Sequence, residues 1–173
     1  MEITTTLPTI DLTDNETGCC PRFHPELWDE KIFTFSDIQF ARTTSKNILH
    51  IPINLGKVMA QSMERIDGVG AMKKEQYLIL SRDLSPWKSE HLFAVTKKVP
   101  GMKMVSLTGT FYAKVYDGPY KDMPKLMKDF QLHAKSKGMA ISKNIYVFYT
   151  TCPKCAKYYK HNYMVLFSKN KPY

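Results

Sequence analysis

Residues 110–138 read TFYAKVYDGPYKDMPKLMKDFQLHAKSKG, and they carry the most informative strand-and-helix pattern of the chain. Its first residues are aromatic or β-branched, which favours a strand. Gly118 and Pro119 predict a turn, because glycine reaches backbone conformations closed to other residues and proline suits the first turn of a helix. Apolar residues then recur at spacings of three and four, which predicts an amphipathic helix over 121–137 that ends at Gly138.

The same order of elements occurs earlier in the chain, where residues 55–69 carry a second amphipathic pattern. Val-, Ile-, Phe- and Tyr-rich segments predict strands before the helices at 48–53 and 110–116, after them at 76–81 and 145–150, and last at 91–97 and 162–168. Equivalent positions lie 64 residues apart for Ile51 and Val115, and 71 apart for Phe93 and Met164. The pattern predicts an α+β fold of two tandem strand-helix-strand-strand modules, with an antiparallel sheet and both helices on one face. The alternative is two unrelated segments that share an order.

The length of 173 residues and the 43% hydrophobic content indicate one domain with one sizeable core. We assign residues 1–39 to an N-terminal arm and strap, and residues 40–173 to the domain, with modules at about 40–104 and 105–173. Residues 1–18 are rich in Thr, Asp and Asn, which predicts a mobile or loosely draped arm. Residues 19–28 contain two prolines and two adjacent cysteines, which predicts an irregular strap.

The net charge of +9 raises the question of nucleic-acid binding. The lysines are scattered, and neither an arginine-rich run nor a recognition motif accompanies them, so no sequence-specific nucleic acid is expected. No apolar run approaches the length of a membrane helix, and the first residues do not form a signal peptide. We therefore expect a cytoplasmic monomer or homodimer that does not bind membranes.

The stretch Ala113-Lys-Val-Tyr-Asp-Gly-Pro-Tyr120, followed by Tyr146-Val-Phe-Tyr149 and Cys152-Pro153, resembles the second half of the GyrI-like small-molecule-binding fold. The resemblance extends over residues 40–168. The whole chain is also similar to short stand-alone proteins of that superfamily labelled as hydrolases. It shares with them Cys-Cys-Pro near the start, Ser85-Pro-Trp-Lys-Ser-Glu90, and Thr151-Cys-Pro-Lys-Cys155.

This resemblance implies a ligand cleft between the two modules. The superfamily includes effector-binding halves of transcription regulators, gyrase-interacting proteins, and enzymes that hydrolyse strained cyclopropane-bearing natural products. Regulators of this type often carry a glutamate on the last strand that meets a cationic ligand. Here the corresponding segment, Tyr163-Met-Val-Leu-Phe167, has no acid, which argues against a cation receptor of that sort.

Glu90 is the predicted catalytic base. An indole from Trp87 beside it would raise the pKa of the carboxyl group, so that Glu90 activates water while Tyr149 or Tyr112 polarises the substrate. The alternative is a surface turn in which Trp87 covers a core edge and Glu90 pairs with a lysine. The predicted ligand-binding residues are the aromatic side chains Trp28, Trp87, Tyr112, Tyr116, Tyr146 and Phe148, with ordinary core packing as the alternative.

Cys152-Pro-Lys-Cys155 looks locally like the redox motif of a glutaredoxin. Only 18 residues follow Cys155, too few for the rest of a thioredoxin-type fold. The pair supplies two zinc ligands, and Cys19 and Cys20 would complete a four-thiolate structural site that ties the strap to the distant loop. The alternative is four reduced cysteines without a metal.

These observations together predict a protein that binds a small amphipathic or aromatic organic molecule between the modules and hydrolyses it with a glutamate base. No cofactor is needed for that chemistry, and structural zinc is the one metal expected. The alternative is a non-catalytic ligand sensor or protein-interaction module that acts on a regulator or gyrase. Fold alone does not decide between them.

Overall fold

The computed structural model describes residues 3–4 and 6–171, and the chain divides into two compact units. The middle unit is Ser36–Thr108, and the terminal unit comprises the chain up to Phe35 and from Gly109 onward. Two long strands, β2 (Lys31–Ile48) and β6 (Lys103–Asp117), contribute residues to both units.

In the middle unit, β2 pairs with β5 (Lys88–Ala94), and β5 pairs with β4 (Ile79–Ser85), all antiparallel. Helix α1 (Leu55–Gly68) follows β2 and the two-residue strand β3 (Ile51–Pro52). Its Ile66 belongs to one buried cluster with Ala41, Ile79 and Phe93, which come from the three different strands. Burial of this apolar face, more than helix propensity, stabilises a helix of this length.

In the terminal unit, β6 pairs with β8 (Tyr163–Asn170), and β8 pairs with β7 (Ile141–Tyr149), again antiparallel. Helix α2 (Met123–Ser136) follows a short 3-10 turn at Tyr120–Asp122, and helix α3 (Pro153–Tyr159) lies between β7 and β8. Phe130 of α2 stacks on Tyr112 with ring centroids 5.4 Å apart. The strand β1 (Ile3–Thr4) pairs in parallel with the start of β2, and a second 3-10 turn spans Pro25–Leu27.

The predicted α+β class, the antiparallel pairing and both amphipathic helices are confirmed. The predicted strand at 48–53 is confirmed only at Ile48, the end of β2, and at β3 (Ile51–Pro52), because the chain turns between them through Leu49 and His50, which both have positive φ. Most of β2 was not predicted, because its second half lacks the regular alternation of apolar and polar residues that indicates a strand. Helix α3 was not predicted either, because seven residues carry little periodicity.

The described part of the predicted arm contacts the rest of its unit, and its mobility stays a prediction. Leu7 is buried, the Arg22 backbone N–H donates to the Asp14 carbonyl at 2.7 Å, and the Tyr158 hydroxyl donates to Glu16 at 3.3 Å. Residues 1, 2 and 5 of that arm lie outside the described residues. The assignment of residues 1–39 and 40–173 to separate regions stays a prediction. In the described chain, no helix is both long and apolar enough to cross a membrane.

Candidate functional site

Polar side chains are buried along three neighbouring strands of the middle unit, and they are Ser45, Asn47, Ser81, Ser89, Glu90 and His91. Buried polar groups lower the free energy of unfolding unless they find hydrogen-bond partners. The strand register supplies those partners. Arg82 lies directly opposite Glu90 across the β4–β5 pair, and Ser81 lies opposite His91. Because side chains alternate along a strand, Glu90 and His91 face opposite sides of the sheet.

Glu90 is 5% exposed and lies between two guanidinium groups. Arg42 Nε donates to Oε2 at 2.7 Å, and Arg82 Nε donates to Oε1. Burial raises the pKa of Glu90, but the hydrogen bonds from the two arginines outweigh it, so the pKa is lowered. Glu90 is therefore a carboxylate held in its ionised form.

The expected environment of Glu90 is wrong in one respect. Trp87 lies in the turn between β4 and β5 and is 58% exposed, whereas Glu90 lies within β5. The carboxyl group is paired with arginines, and its pKa shifts downward, opposite to the direction expected from an indole wall. The lysine pairing that was the alternative is also replaced by these arginines.

His91 bridges two serine hydroxyl groups on the other face of the sheet. Its Nε2 lies 2.8 Å from Ser45 Oγ, and its Nδ1 lies 2.8 Å from Ser81 Oγ. Burial lowers the pKa of His91 to about 4, against smaller opposite effects of Asp83 and Glu90. The imidazole is therefore neutral near pH 7, and a neutral ring can donate to one hydroxyl and accept from the other. Sequence reasoning missed this group, since its members come from three strands.

The predicted aromatic site residues fall into two groups. Trp28, Tyr112, Tyr146 and Phe148 are buried, and Trp28 contacts Phe148 with ring centroids 5.6 Å apart. Trp87 is exposed, and Tyr116 donates its hydroxyl hydrogen to Asp129 at 2.7 Å. The first group has the surroundings of core residues. Ligand binding by Trp28, Trp87, Tyr112, Tyr116, Tyr146 and Phe148 stays a prediction.

Tyr149, the second predicted catalytic residue, is 40% exposed at the end of β7. Its ring meets that of Tyr120 edge-on, with centroids 5.4 Å apart. Glu90 belongs to the middle unit and Tyr149 to the terminal unit. Their joint action on one substrate stays a prediction.

The four cysteines gather in the terminal unit. The sulfur atoms of Cys19, Cys20, Cys152 and Cys155 all lie within 4.8 Å of one another, although 132 residues separate Cys20 from Cys152. Cys19 and Cys20 have their sulfurs 3.8 Å apart. Cys19 is exposed and Cys155 is buried, so one side of the cluster faces solvent. The predicted assembly of these residues is confirmed.

Thr17 and Gly18 shape the turn that presents Cys19 and Cys20. The Thr17 hydroxyl accepts hydrogen bonds from the backbone N–H groups of both cysteines at 3.2 Å, and Cys155 Sγ lies 3.3 Å from the same oxygen. Gly18 has φ +69°, a conformation that other residues rarely adopt. The hydrogen bond with Thr17 lowers the pKa of Cys155 to about 7, with a smaller contribution from Cys152, although burial acts in the opposite direction.

This donor set matches the coordination chemistry of zinc. Tetrahedral Zn²⁺ with Zn–S bonds of about 2.3 Å places its sulfurs about 3.8 Å apart. The Cys19–Cys20 separation already equals that value, and the remaining distances exceed it by about 1 Å at most.

Comparison with known proteins places the chain in a family. The chain is an α+β protein that carries the ionised carboxylate of Glu90 on one face of its sheet. Residues 10–170 match the family model described as bacterial hydrolase, and the chain belongs to that family. No curated protein matches the sequence.

Solved structures share the fold at low identity. An uncharacterized conserved protein from Listeria innocua is 10% identical, with a TM-score of 0.59 over 83% of this chain and 94% of that one. A hydrolase from Listeria innocua is also 10% identical, with a TM-score of 0.55 over 83% and 93% of the two chains. At this identity the similarity shows the fold alone.

Proposed function

We propose that this protein hydrolyses a small amphipathic or aromatic organic molecule, with Glu90 as the group that activates water. The observation that carries the proposal is the carboxylate between Arg42 and Arg82. A buried ionic cluster of this kind rarely stabilises a protein more than well-packed apolar residues do, so its presence points to a use other than stability. Membership of the bacterial hydrolase family supports the reaction class.

Solvent can reach this cluster on the arginine side. The Arg42 and Arg82 side chains are 23% and 24% exposed. Each carboxylate oxygen of Glu90 accepts one Nε–H, and an ionised carboxylate has about four acceptor positions, so capacity for a water molecule is left. In the proposed step, the water oxygen attacks the electrophilic carbon of the substrate while Glu90 takes a proton from that water molecule. The leaving group departs with its electron pair and is then protonated by Glu90.

The lowered pKa of Glu90 restricts the substrate class. A carboxylate with a low pKa is a weak base, and general-base catalysis weakens as the base becomes weaker. The substrate must therefore be reactive enough to be attacked by a water molecule that is only slightly deprotonated. Strained rings and activated aromatic esters meet this condition, whereas amides do not. The two guanidinium groups would also stabilise an oxyanion formed during the reaction.

We also propose that the fold is the duplicated GyrI-like one. Each unit contains a strand, a helix and two further strands, and in each the third strand lies between the first and the second. This shared order supports a duplication. The inter-module ligand cleft, the absence of bound nucleic acid and membrane, and the cytoplasmic location remain parts of the proposal.

The test is a turnover measurement on a panel of aromatic esters and strained-ring compounds, with products identified by mass spectrometry. Glu90→Gln is compared with wild type and with Glu64→Gln, a matched control at an exposed position on α1. We expect Glu90→Gln to abolish turnover and the control to retain it. Because two arginines would lose their counter-charge in Glu90→Gln, circular dichroism must show that the variant is folded. Intact turnover in the folded variant would refute the role of Glu90.

The second candidate function is a non-catalytic ligand sensor. The pairing of Glu90 with two arginines favours it, because an ion cluster can position a ligand without chemistry. Compounds that bind the wild type and return uncleaved across the whole panel would favour the sensor over the hydrolase.

A further inference from the structure

We propose that Cys19, Cys20, Cys152 and Cys155 bind one Zn²⁺ as a closed tetrathiolate site. The metal would join the N-terminal strap, residues 19–28, to helix α3. This inference goes beyond the proposed hydrolysis and does not depend on it, because its test measures metal and not turnover.

The first argument is convergence from distant parts of the chain. Burial can bring single cysteines together by packing, but Cys19 is exposed, so packing alone does not account for the meeting of all four. Here four sulfur atoms converge within 4.8 Å. A disulfide would satisfy two cysteines at a time, whereas one tetrahedral zinc ion satisfies all four.

The second argument is that local structure aims both pairs at a common point. Cys152 immediately precedes α3 and Cys155 lies in its first turn, and side chains three residues apart share one face of a helix. Adjacent side chains such as Cys19 and Cys20 point apart in an extended strand. The turn at Gly18 brings these two sulfurs within 3.8 Å instead.

The third argument concerns the groups around the cluster. Ligands in zinc sites are held by outer hydrogen bonds that fix their orientation. The Thr17 hydroxyl meets both the backbone of the Cys19–Cys20 pair and the sulfur of Cys155. Tyr159 donates its hydroxyl to the Cys20 carbonyl at 2.8 Å, which fixes the strap to the end of α3.

Four thiolates leave no coordination position for water, which makes the site structural and not catalytic. On binding, four thiols give four thiolates, and their protons pass to solvent. The exposed side of Cys19 gives the metal an entry path. Without zinc, the strap would be held by the Tyr159 hydrogen bond, by the Arg22 guanidinium 4.6 Å from the Tyr159 ring, and by Phe23 packing on Trp28 and Phe148.

The experiment starts with protein purified under reducing conditions without a chelator. Native mass spectrometry and elemental analysis should find one zinc per chain. Cys19→Ser and Cys152→Ser should each lose the zinc, while the control His24→Asn should keep it. His24 follows the cysteine pair by four residues and pairs with Asp14 at 2.9 Å, so this control tests whether an imidazole contributes.

Because the serine variants could fail to fold, a second measurement uses wild type alone. The protein is stripped with a chelator and titrated with Co²⁺. We expect one equivalent to produce the visible absorption of tetrahedral cobalt together with thiolate-to-metal charge transfer, and Zn²⁺ to displace it. Four reactive thiols on a metal-free folded protein that gives no such spectrum would overturn the proposal. A disulfide mass deficit in reduced preparations, iron in place of zinc, or undiminished zinc in folded Cys152→Ser would do so as well.

Discussion

Acidification below about pH 6.5 should destabilise this protein through His91. His91 is 5% exposed between Ser45 and Ser81, and burial lowers its pKa from 6.5 to about 4. Well above pH 6.5 the ring is neutral in both the folded and the unfolded chain, so its contribution to stability does not change with pH there. As the pH falls below that value, His91 is protonated in the unfolded chain but stays neutral in the folded chain, so the free energy of unfolding falls.

The size of the effect follows from the two pKa values. Linkage gives a loss of about 2 kcal/mol between pH 8 and pH 5, which rises to about 3 kcal/mol below pH 4. The paired carboxylates act later. Glu90 has a lowered pKa, so its stabilising contribution is present above the ordinary glutamate pKa of 4.5 and is lost only as the pH falls through the lower folded value.

Urea unfolding followed by circular dichroism at about pH 8 and pH 5 measures this loss. Wild type is compared with His91→Gln, whose amide can still donate to one serine and accept from the other. The variant should lose about 2 kcal/mol less than wild type over this range. Release of the proposed zinc at low pH would affect both proteins equally, and His161→Asn, which removes an exposed histidine paired with Asp117, controls for histidine removal. Equal losses in wild type and His91→Gln would refute the buried, neutral imidazole.

Three further outcomes follow from the two sites. If Glu90 is the base, its lowered pKa should keep kcat/KM constant from about pH 8 to about pH 5, with a fall only below the usual glutamate range. A pH profile of kcat/KM with its midpoint near neutrality would contradict the arginine pairing. Thr17→Val should weaken zinc affinity about 10-fold or more in a chelator competition, while Thr17→Ser retains it, and equal loss in both would exclude the hydroxyl. Gly18→Ala should lower the free energy of unfolding by about 1 kcal/mol, because its φ is +69°, and an unchanged urea midpoint would contradict that turn.

Local pattern was enough to predict helices α1 and α2 and the cysteine cluster. The apolar spacing in α1 and α2 reflects burial on one helix face, which sequence reveals directly. The four cysteines could be grouped because few other residues suit a soft metal and thiol pairs have characteristic spacing. Neither inference required knowledge of strand pairing.

Strand register explains what could not be predicted. Glu90 meets Arg42 across 48 residues of sequence, and His91 meets Ser45 across 46. A shift of one residue in the pairing would turn each side chain to the other face of the sheet and remove both contacts. The sequence predicted Trp87 as the neighbour of Glu90 because the two residues are close along the chain, whereas contacts across strands depend on a register that the sequence does not show.

The two tryptophans of this protein are distributed one to each unit. Trp28 is 3% exposed among the aromatic rings of the terminal unit, whereas Trp87 is mostly exposed in the middle unit. Indole emission shifts to longer wavelength when the ring meets water, so the natural protein carries a blue-shifted and a red-shifted fluorophore. A small polar quencher should reduce the red-shifted emission of Trp87 before it reduces the emission of Trp28. Unfolding of either unit could then be followed separately in one cuvette, without any label.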